Sequence, residues 1–410
     1  MATQLLGLTL ALLGGLGPVA LPAQARSDSI VIRAGAVLDG RGGSRGPADI
    51  VVRGSKIIGL REPAGRPDYD LSALTVLPGG IDTHIHLINH FDSSGKAHGA
   101  PGTVETSQET ALYGMENAWL TLQAGITTVQ SLGNYLDRDL REAVARGVLP
   151  GPRIISSLDW VTGDSTTPVD TLRSTVRARI SAGADAVKIF ASRSIREGGG
   201  PTLTEAQLRA ACGEAASHSR RSVVHAHAAE AVKRAVRAGC TTIEHGGLVD
   251  EAALDLMAER GTFFDPNVHL VLQNYFDHRD RFLGIGNYTA EGFAHMERLK
   301  PVMVEVFRKA LARPSLKLVF GTDAVAGAHG RNWEELIFRV ESGGQAPMAA
   351  IVSATSLAAA SLGLQDEIGS VAPGFEADII AVEGNPARDI TSLRRVKFVM
   401  RGGKVFRNTP

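Results

Sequence analysis

Apolar residues follow two different rhythms along this chain. Near both ends, short β-rich runs alternate with glycine-rich turns. At the start these are Ile30-Val31-Ile32-Arg33, Asp49-Ile50-Val51-Val52 and Lys56-Ile57-Ile58; at the end they are 376–382, 396–400 and 404–406, with Gly402-Gly403 turning between the last two. Runs of this kind predict small strands and hairpins. Neither terminal stretch is large enough for a core of its own, so 26–77 and 366–410 are expected to pair as one discontinuous β-sandwich.

Between them the rhythm becomes strand, loop, helix, repeated. Strands are predicted at 78–87, 126–132, 153–158, 186–190, 222–228, 241–246, 262–268 and 317–323, separated by helical stretches such as 205–217 and 229–238. Eight βα units in about 290 residues match the size of a (β/α)8 TIM barrel, which places the fold in the α/β class with the barrel over 78–365.

One apolar run fits neither rhythm. Residues 5–21 are apolar and broken by Gly14, Gly15, Gly17 and Pro18, then followed by Pro22-Ala23-Gln24-Ala25 before the first charge at Arg26. This pattern is that of a signal peptide over 1–25, cleaved after Ala25, although the leading segment holds no Lys or Arg. A periplasmic or secreted protein is the expectation. No later apolar stretch reaches spanning length, so no stable membrane span is expected after processing.

Composition narrows the partners. Apolar residues make up 44% and charged residues 21%, and 43 basic residues balance 43 acidic ones, which gives no footprint for nucleic acid. A small-molecule substrate is expected, in a chain that could form a homo-oligomer. The two cysteines, Cys212 and Cys240, allow one disulfide at most; both fall in segments read as buried helix and helix end, so two packed thiols are expected and neither is read as a metal ligand.

The chemistry sits at the strand ends. His84 and His86, in Pro78-Gly79-Gly80-Ile81-Asp82-Thr83-His84-Ile85-His86, lie two apart on a strand and share a face, so they can grip one ion. Lys188, in Ala186-Val187-Lys188-Ile189-Phe190, alternates with apolar neighbours and points inward, where a bare ammonium is costly and has no lone pair for a metal. A carbamate formed on its nitrogen with carbon dioxide would be an anion able to bridge two cations; the alternative is a barrel lysine paired to a carboxylate. Ser222-Val223-Val224-His225-Ala226-His227 puts two histidines on one face where one ligand suffices, Ile243-Glu244-His245-Gly246 adds another, and Gly321-Thr322-Asp323-Ala324 supplies a carboxylate. A βα barrel gathers all these strand ends around one pocket, so His84, His86, Lys188, His225, His245 and Asp323 together read as a dinuclear metal site.

These motifs resemble the amidohydrolase superfamily over essentially everything after the leader, and within it the branch of prolidase-like dinuclear dipeptidases and ochratoxin-type amidases. The resemblance rests on 238–246, His225-Ala226-His227 and Gly321-Thr322-Asp323-Ala324. It implies that His84, His86 and Asp323 hold one metal and His225 and His245 the other, with Lys188 bridging as carbamate and zinc the expected ion. His227 then faces substrate. Gln130-Ser131 departs from the branch, where Arg-Asp is common, which touches substrate contacts rather than metals.

Two divalent ions about 3.5–4 Å apart can share a water and make hydroxide available at neutral pH. The expected reaction is therefore hydrolysis of an amide or peptide bond in a dipeptide, an Xaa-Pro-like or N-acyl amino acid substrate, or an ochratoxin-like amide, with Asp323 moving the proton. Arg193 and Arg196 follow the Lys188 strand and could clamp a carboxylate, and His329 could orient the scissile group. His90, His98, His269 and Tyr275 read as ordinary surface residues beside the same rim. Two other readings remain: a mononuclear deaminase or cyclic amide or lactone hydrolase on the same barrel, and a non-catalytic exported binding protein.

Overall fold

A computed structural model describes residues 29–102 and 104–409, so the leader predicted over 1–25 lies outside the described residues. Among the described residues the strands run β1 (Ser29–Leu38), β2 (Ser44–Arg45), β3 (Ala48–Arg53), β4 (Lys56–Arg61), β5 (Tyr69–Pro78), β6 (Gly80–Ile85), β7 (Ile126–Ser131), β8 (Arg153–Ser156), β9 (Trp160–Val161), β10 (Ala186–Phe190), β11 (Arg221–Ala228), β12 (Thr242–Leu248), β13 (Phe263–Asp265), β14 (Lys317–Leu318), β15 (Ile379–Val382), β16 (Val396–Arg401) and β17 (Lys404–Asn408).

The two chain ends do pair. β17-β16-β15-β5-β1-β3-β4 form one sheet, with β2 attached to β1, and antiparallel β15–β5 pairing stitches the C-terminal strands to the N-terminal ones. Alternation decides the two faces of β15. Ile379 and Ala381 close a core with Ile32, Ile50, Val76 and Phe398, while Ile380 and Val382 pack with Leu122, Ile126 and Trp333 of the α/β part.

The α/β part holds its strands parallel in two arcs: β6-β7-β8, and β9-β10-β11-β12-β13-β14. Backbone bonds bridge the arcs on both sides. Thr83 N donates to Phe320 O and His86 N to Ala324 O, both at 2.9 Å, and Asp185 N donates to Ser156 O at 2.8 Å. Val187, Ile189, Val224, Ala226, Ile243 and Phe264 face outward into a core shared with the helices Glu205–Ser217, Ala229–Arg237 and Glu251–Arg260. The residues between them on these strands, Lys188 and His225 among them, therefore point inward.

Three expectations are corrected. The run predicted as one strand over 78–87 breaks at Gly79 into the end of β5 and the start of β6, because an added Cβ at Gly79 would collide with Thr127 and only glycine permits the crossing. The strand predicted over 317–323 ends at Leu318, and β9 is an extra two-residue strand that its short length concealed. Cys212 and Cys240 are not packed thiols: they form a disulfide, brought together because Ala229–Arg237 packs beside Glu205–Ser217, leaving their Cα atoms 5.2 Å apart.

Candidate active site

His84 and His86 leave β6 on the same side, and their Nε2 atoms lie 3.4 and 3.0 Å from one oxygen, Asp323 Oδ1. Lys188 Nζ, from β10, stands 3.3 Å from His84 Nε2. Across from them, the His225 and His245 rings are 4.6 Å apart and His227 stacks on His245 at 4.9 Å. Two groups of donors result, His84 with His245 and Asp323, and His225 with His227 and His245, each with its ligand atoms within 4.8 Å of one another. They share His245, so they are adjacent.

Backbone strain marks this cluster. His245 and Asp323 have φ of +72° and +52°, left-handed values that cost a non-glycine residue about 1–3 kcal/mol and persist only where the surroundings enforce them. The backbone turns at these two residues and so throws each ligand toward the centre. Gly321 makes room for the turn at Asp323, since an added Cβ would fall on Asp265 Oδ2 and lie 2.9 Å from His84 Cβ.

Buried acids hold the ligands from behind. His84 Nδ1 is 2.7 Å from Glu244 Oε2, an arrangement that directs Nδ1–H to the carboxylate and leaves the Nε2 lone pair facing the cluster. Asp265 accepts from Thr83 Oγ1, Gly321 N and Arg339 Nη2, and Asp82 accepts from Thr322 Oγ1 and Asn332 Nδ2. Sequence reading missed all three acids, although Glu244 and Asp82 stand inside the motifs that revealed His245 and His84. Their signal was a carboxylate within an otherwise apolar strand.

Burial sets the charges. It pushes the carboxyls of Asp82 and Glu244 up to about 7 and that of Asp265 well above the usual range. Burial also pulls His84, His225 and His245 well below the ordinary imidazole value, with neighbouring positive groups adding to it, which keeps their lone pairs free. Lys188 is lowered by the same desolvation, which raises the share of neutral amine. Asp323 goes the other way: burial raises it, but His84, His86 and Lys188 outweigh that and hold it near 2, a permanent carboxylate at neutral pH.

These residues sit at the bottom of a cavity of about 390 Å³, walled by Trp160, Phe190, Ile195, Val271, Leu272 and Met303. Arg196 enters it from the segment after β10. Its Nε donates to Asn287 Oδ1 at 2.7 Å, and its guanidinium lies 4.0 Å from the Tyr288 ring centre and 5.4 Å from that of Tyr275. Burial raises both phenols above their usual range, so they stay protonated donors. His227 also lines the cavity, its Nδ1 without a partner.

Other expected site residues lie elsewhere. Arg193 is exposed, and only its carbonyl approaches the cluster, 3.4 Å from His225 Nε2. His329 is buried against the backbone of His86 and Asn89, behind the cluster, and borders a second hollow with Trp333 and Arg331. Tyr275 and His90, read as surface residues, are only 5% and 4% exposed, and His98 lines the main cavity; Tyr275 is covered by apolar packing from helices distant in sequence and His90 by the Tyr113 ring. His269 is half-buried and stacks on Phe338. Asp137 was overlooked: it lines the cavity with Oδ1 unpartnered, and burial raises its carboxyl to about 6.

The match to known proteins covers most of the chain. The model of the amidohydrolase family fits residues 75–406. The chain belongs to the amidohydrolase family. It is a hydrolase acting on C–N bonds, and residues of this amidohydrolase's cavity form groups that could hold metal. The chain is 25% identical to the ochratoxinase of Aspergillus niger over 439 aligned residues, 95% of this chain and 89% of the relative. Among solved structures it resembles a Xaa-Pro dipeptidase with methionine bound in its active site (31% identity, TM-score 0.82, 93% of this chain and 100% of that one). It also resembles a prolidase complexed with N-methylphosphonate-L-proline (27%, TM-score 0.81, 93% and 100%).

Proposed function

We propose that this amidohydrolase cleaves the amide or peptide bond of a small substrate ending in a carboxylate, such as an Xaa-Pro-like dipeptide, an N-acyl amino acid or an ochratoxin-like amide, and that it does so with two divalent ions, zinc by preference. The observation that carries this reading is the convergence of His84, His86, Asp323 and Lys188 on one side and His225 and His245 on the other, sharing one small space. Neutral imidazoles, an ionised aspartate and a buried lysine suit that ion class. A carbamate on Lys188 is favoured by its desolvated amine, and the two cations would offset its charge. We also read the two parallel arcs as one (β/α)8 barrel over 78–365, and 26–77 with 366–410 as the accompanying β-sandwich.

Such ions, when bound, lower the pKa of a coordinated water and polarise a carbonyl. The chain supplies the rest. Asp323, held ionised, takes a proton at Oδ1 from the attacking water and delivers it to the leaving nitrogen. Arg196, backed by Asn287 and flanked by the Tyr275 and Tyr288 hydroxyls, binds the substrate carboxylate. His227 donates or accepts at the scissile group according to its tautomer, and Trp160 and Phe190 cover the apolar part and exclude water.

The test is a panel of Xaa-Pro, Xaa-Arg and hydrophobic dipeptides, N-acyl amino acids and ochratoxin-like amides, assayed on wild type and Lys188→Ala. Lys188→Ala is expected to lose about two metal equivalents and at least a thousandfold in kcat/KM, with its fold kept; full activity in that variant would refute the bridge. Arg196→Met should raise KM for carboxylate substrates far more than for their amides. Export to the periplasm or medium is part of the same proposal, supported by the 1–25 pattern and by a disulfide of the kind oxidising compartments maintain. N-terminal sequencing of the mature protein checks it, Arg26 being the expected first residue.

A further inference from the structure

A second histidine cluster stands apart from the one described. The segment after β6 doubles back as a small hairpin: Phe91 bridges Ala97, His98 N donates to His90 O at 2.9 Å, and Asp92 Oδ1 accepts from Ser94 N and Lys96 N to close the turn. This fixes His90 and His98 side by side, ring centres 5.0 Å apart. The His90 ring is pressed flat on Tyr113 at 3.9 Å. Glu105, one residue before the Thr106 cap of the helix Ser107–Gln123, reaches between them, with Oε1 2.8 Å from His90 Nε2 and Oε2 2.6 Å from His98 Nδ1.

The hydrogen-bond bookkeeping at His90 does not close with a neutral ring alone. Its Nδ1 lies 2.7 Å from Ile88 O, a carbonyl that can only accept, so Nδ1 carries the hydrogen. In the neutral ring Nε2 then aims a lone pair at a carboxylate oxygen, which also offers only lone pairs. A cation must lie between them. A proton shared with Glu105 Oε1 would serve, but it would need only one histidine. Here a second imidazole addresses the same carboxylate, and the outer Nδ1–H to carbonyl bond is the one that metal-ligating histidines make.

We infer that His90, His98 and Glu105 form a separate site for a divalent ion of the zinc class. The three ligand atoms lie within 4.8 Å of one another, and parting each N–O pair by about 0.5 Å would seat an ion at bond lengths of roughly 2.0–2.1 Å with a fourth position left to water. Two nitrogens and a carboxylate favour zinc, cobalt or nickel over magnesium or calcium. His98 and Glu105 keep 31% and 12% of their side chains exposed, which gives the ion a way in. Because His98 also lines the main cavity, the bound ion would staple the hairpin to that cavity's wall.

The experiment loads chelator-treated full-length protein with Zn²⁺ alone and counts zinc per chain after dialysis. His98→Ala and Glu105→Gln should each hold one equivalent less than wild type, whatever number the main cavity holds. Lys188→Ala should retain one equivalent, Lys188→Ala/His98→Ala none, and Zn²⁺ should raise the melting temperature of the first but not of the second. Equal zinc in wild type, His98→Ala and Glu105→Gln would overturn the site and leave a proton as the shared cation. A wild type that already lacks zinc in the main cavity yet still loses one equivalent on His98→Ala would instead count against the proposed function alone.

Discussion

At the scale of single residues, position within a strand decided which groups could be recognised. His84, His86, Lys188 and His225 were legible because period-two alternation on parallel strands tells which side chain turns inward; His245 was legible only from its motif, since it follows the inward Glu244 and reaches the centre through its positive φ. His225 against His227 was not, because both lie on the same face and both reach the cluster with His245. The motif resemblance gives His225 the metal, so His227→Ala should keep metal content nearly intact while lowering kcat by about ten- to a hundredfold. Metal analysis beside steady-state kinetics checks this, and loss of one equivalent would exchange the two roles. Arg193 and Arg196 show the opposite limit. They share one loop, and only the fold turned one to solvent and set the other between Tyr275 and Tyr288.

At the scale of elements, the strands and helices were placed largely by rhythm, and the errors came where an element ends. The segment after β14 was read as strand because Val319 and Phe320 are β formers; it instead leaves the ladder to swing Asp323 inward at positive φ. The disulfide was missed for a related reason. Its cysteines are separated by 28 residues, and no local pattern reports that two helices will lie side by side. Closing a loop of that length constrains the unfolded chain, so Cys240→Ser should cost about 2–4 kcal/mol. Urea unfolding of wild type with and without reductant, compared with the variant, measures this; a variant as stable as oxidised wild type would remove the disulfide from any structural role.

At the scale of the whole molecule, burial of so many ionisable groups around one centre shapes the response to acid. Asp82, Asp137 and Glu244 have folded values raised to about 6–7, so between about pH 4 and 6 the metal-free folded state holds protons that the unfolded chain has released. That stability is present below the unfolded carboxyl values and fades as pH rises toward 7. His227 and His329, lowered to about 3 by burial first, behave oppositely: they stay neutral when folded while the unfolded chain takes up protons below about 6.5, so their contribution is lost as pH falls. With Asp265 added to the raised acids, and His84, His225 and His245 to the lowered imidazoles, the two sets offset each other from about pH 4.5 to 6.5. Below about pH 4 the raised acids are protonated in both states and drop out, while the histidines, joined by Asp49, whose carboxylate is lowered by its bond to Arg33, all act in one direction. Thermal unfolding of chelator-treated protein should therefore change little from pH 4.5 to 6.5 and fall steeply below 4. A steady slope through the whole range would mean that one of the two sets is not buried as described.

By itself the sequence determined the succession of strands and helices and the inward-facing His84, Lys188 and His225, because alternation and turn chemistry act over a few residues and need no knowledge of what lies opposite. Only tertiary structure decided the rest. Glu244 behind His84, Arg196 between two tyrosines, the bond between Cys212 and Cys240, and Glu105 between His90 and His98 are each a meeting of segments whose separation along the chain says nothing about their distance in space.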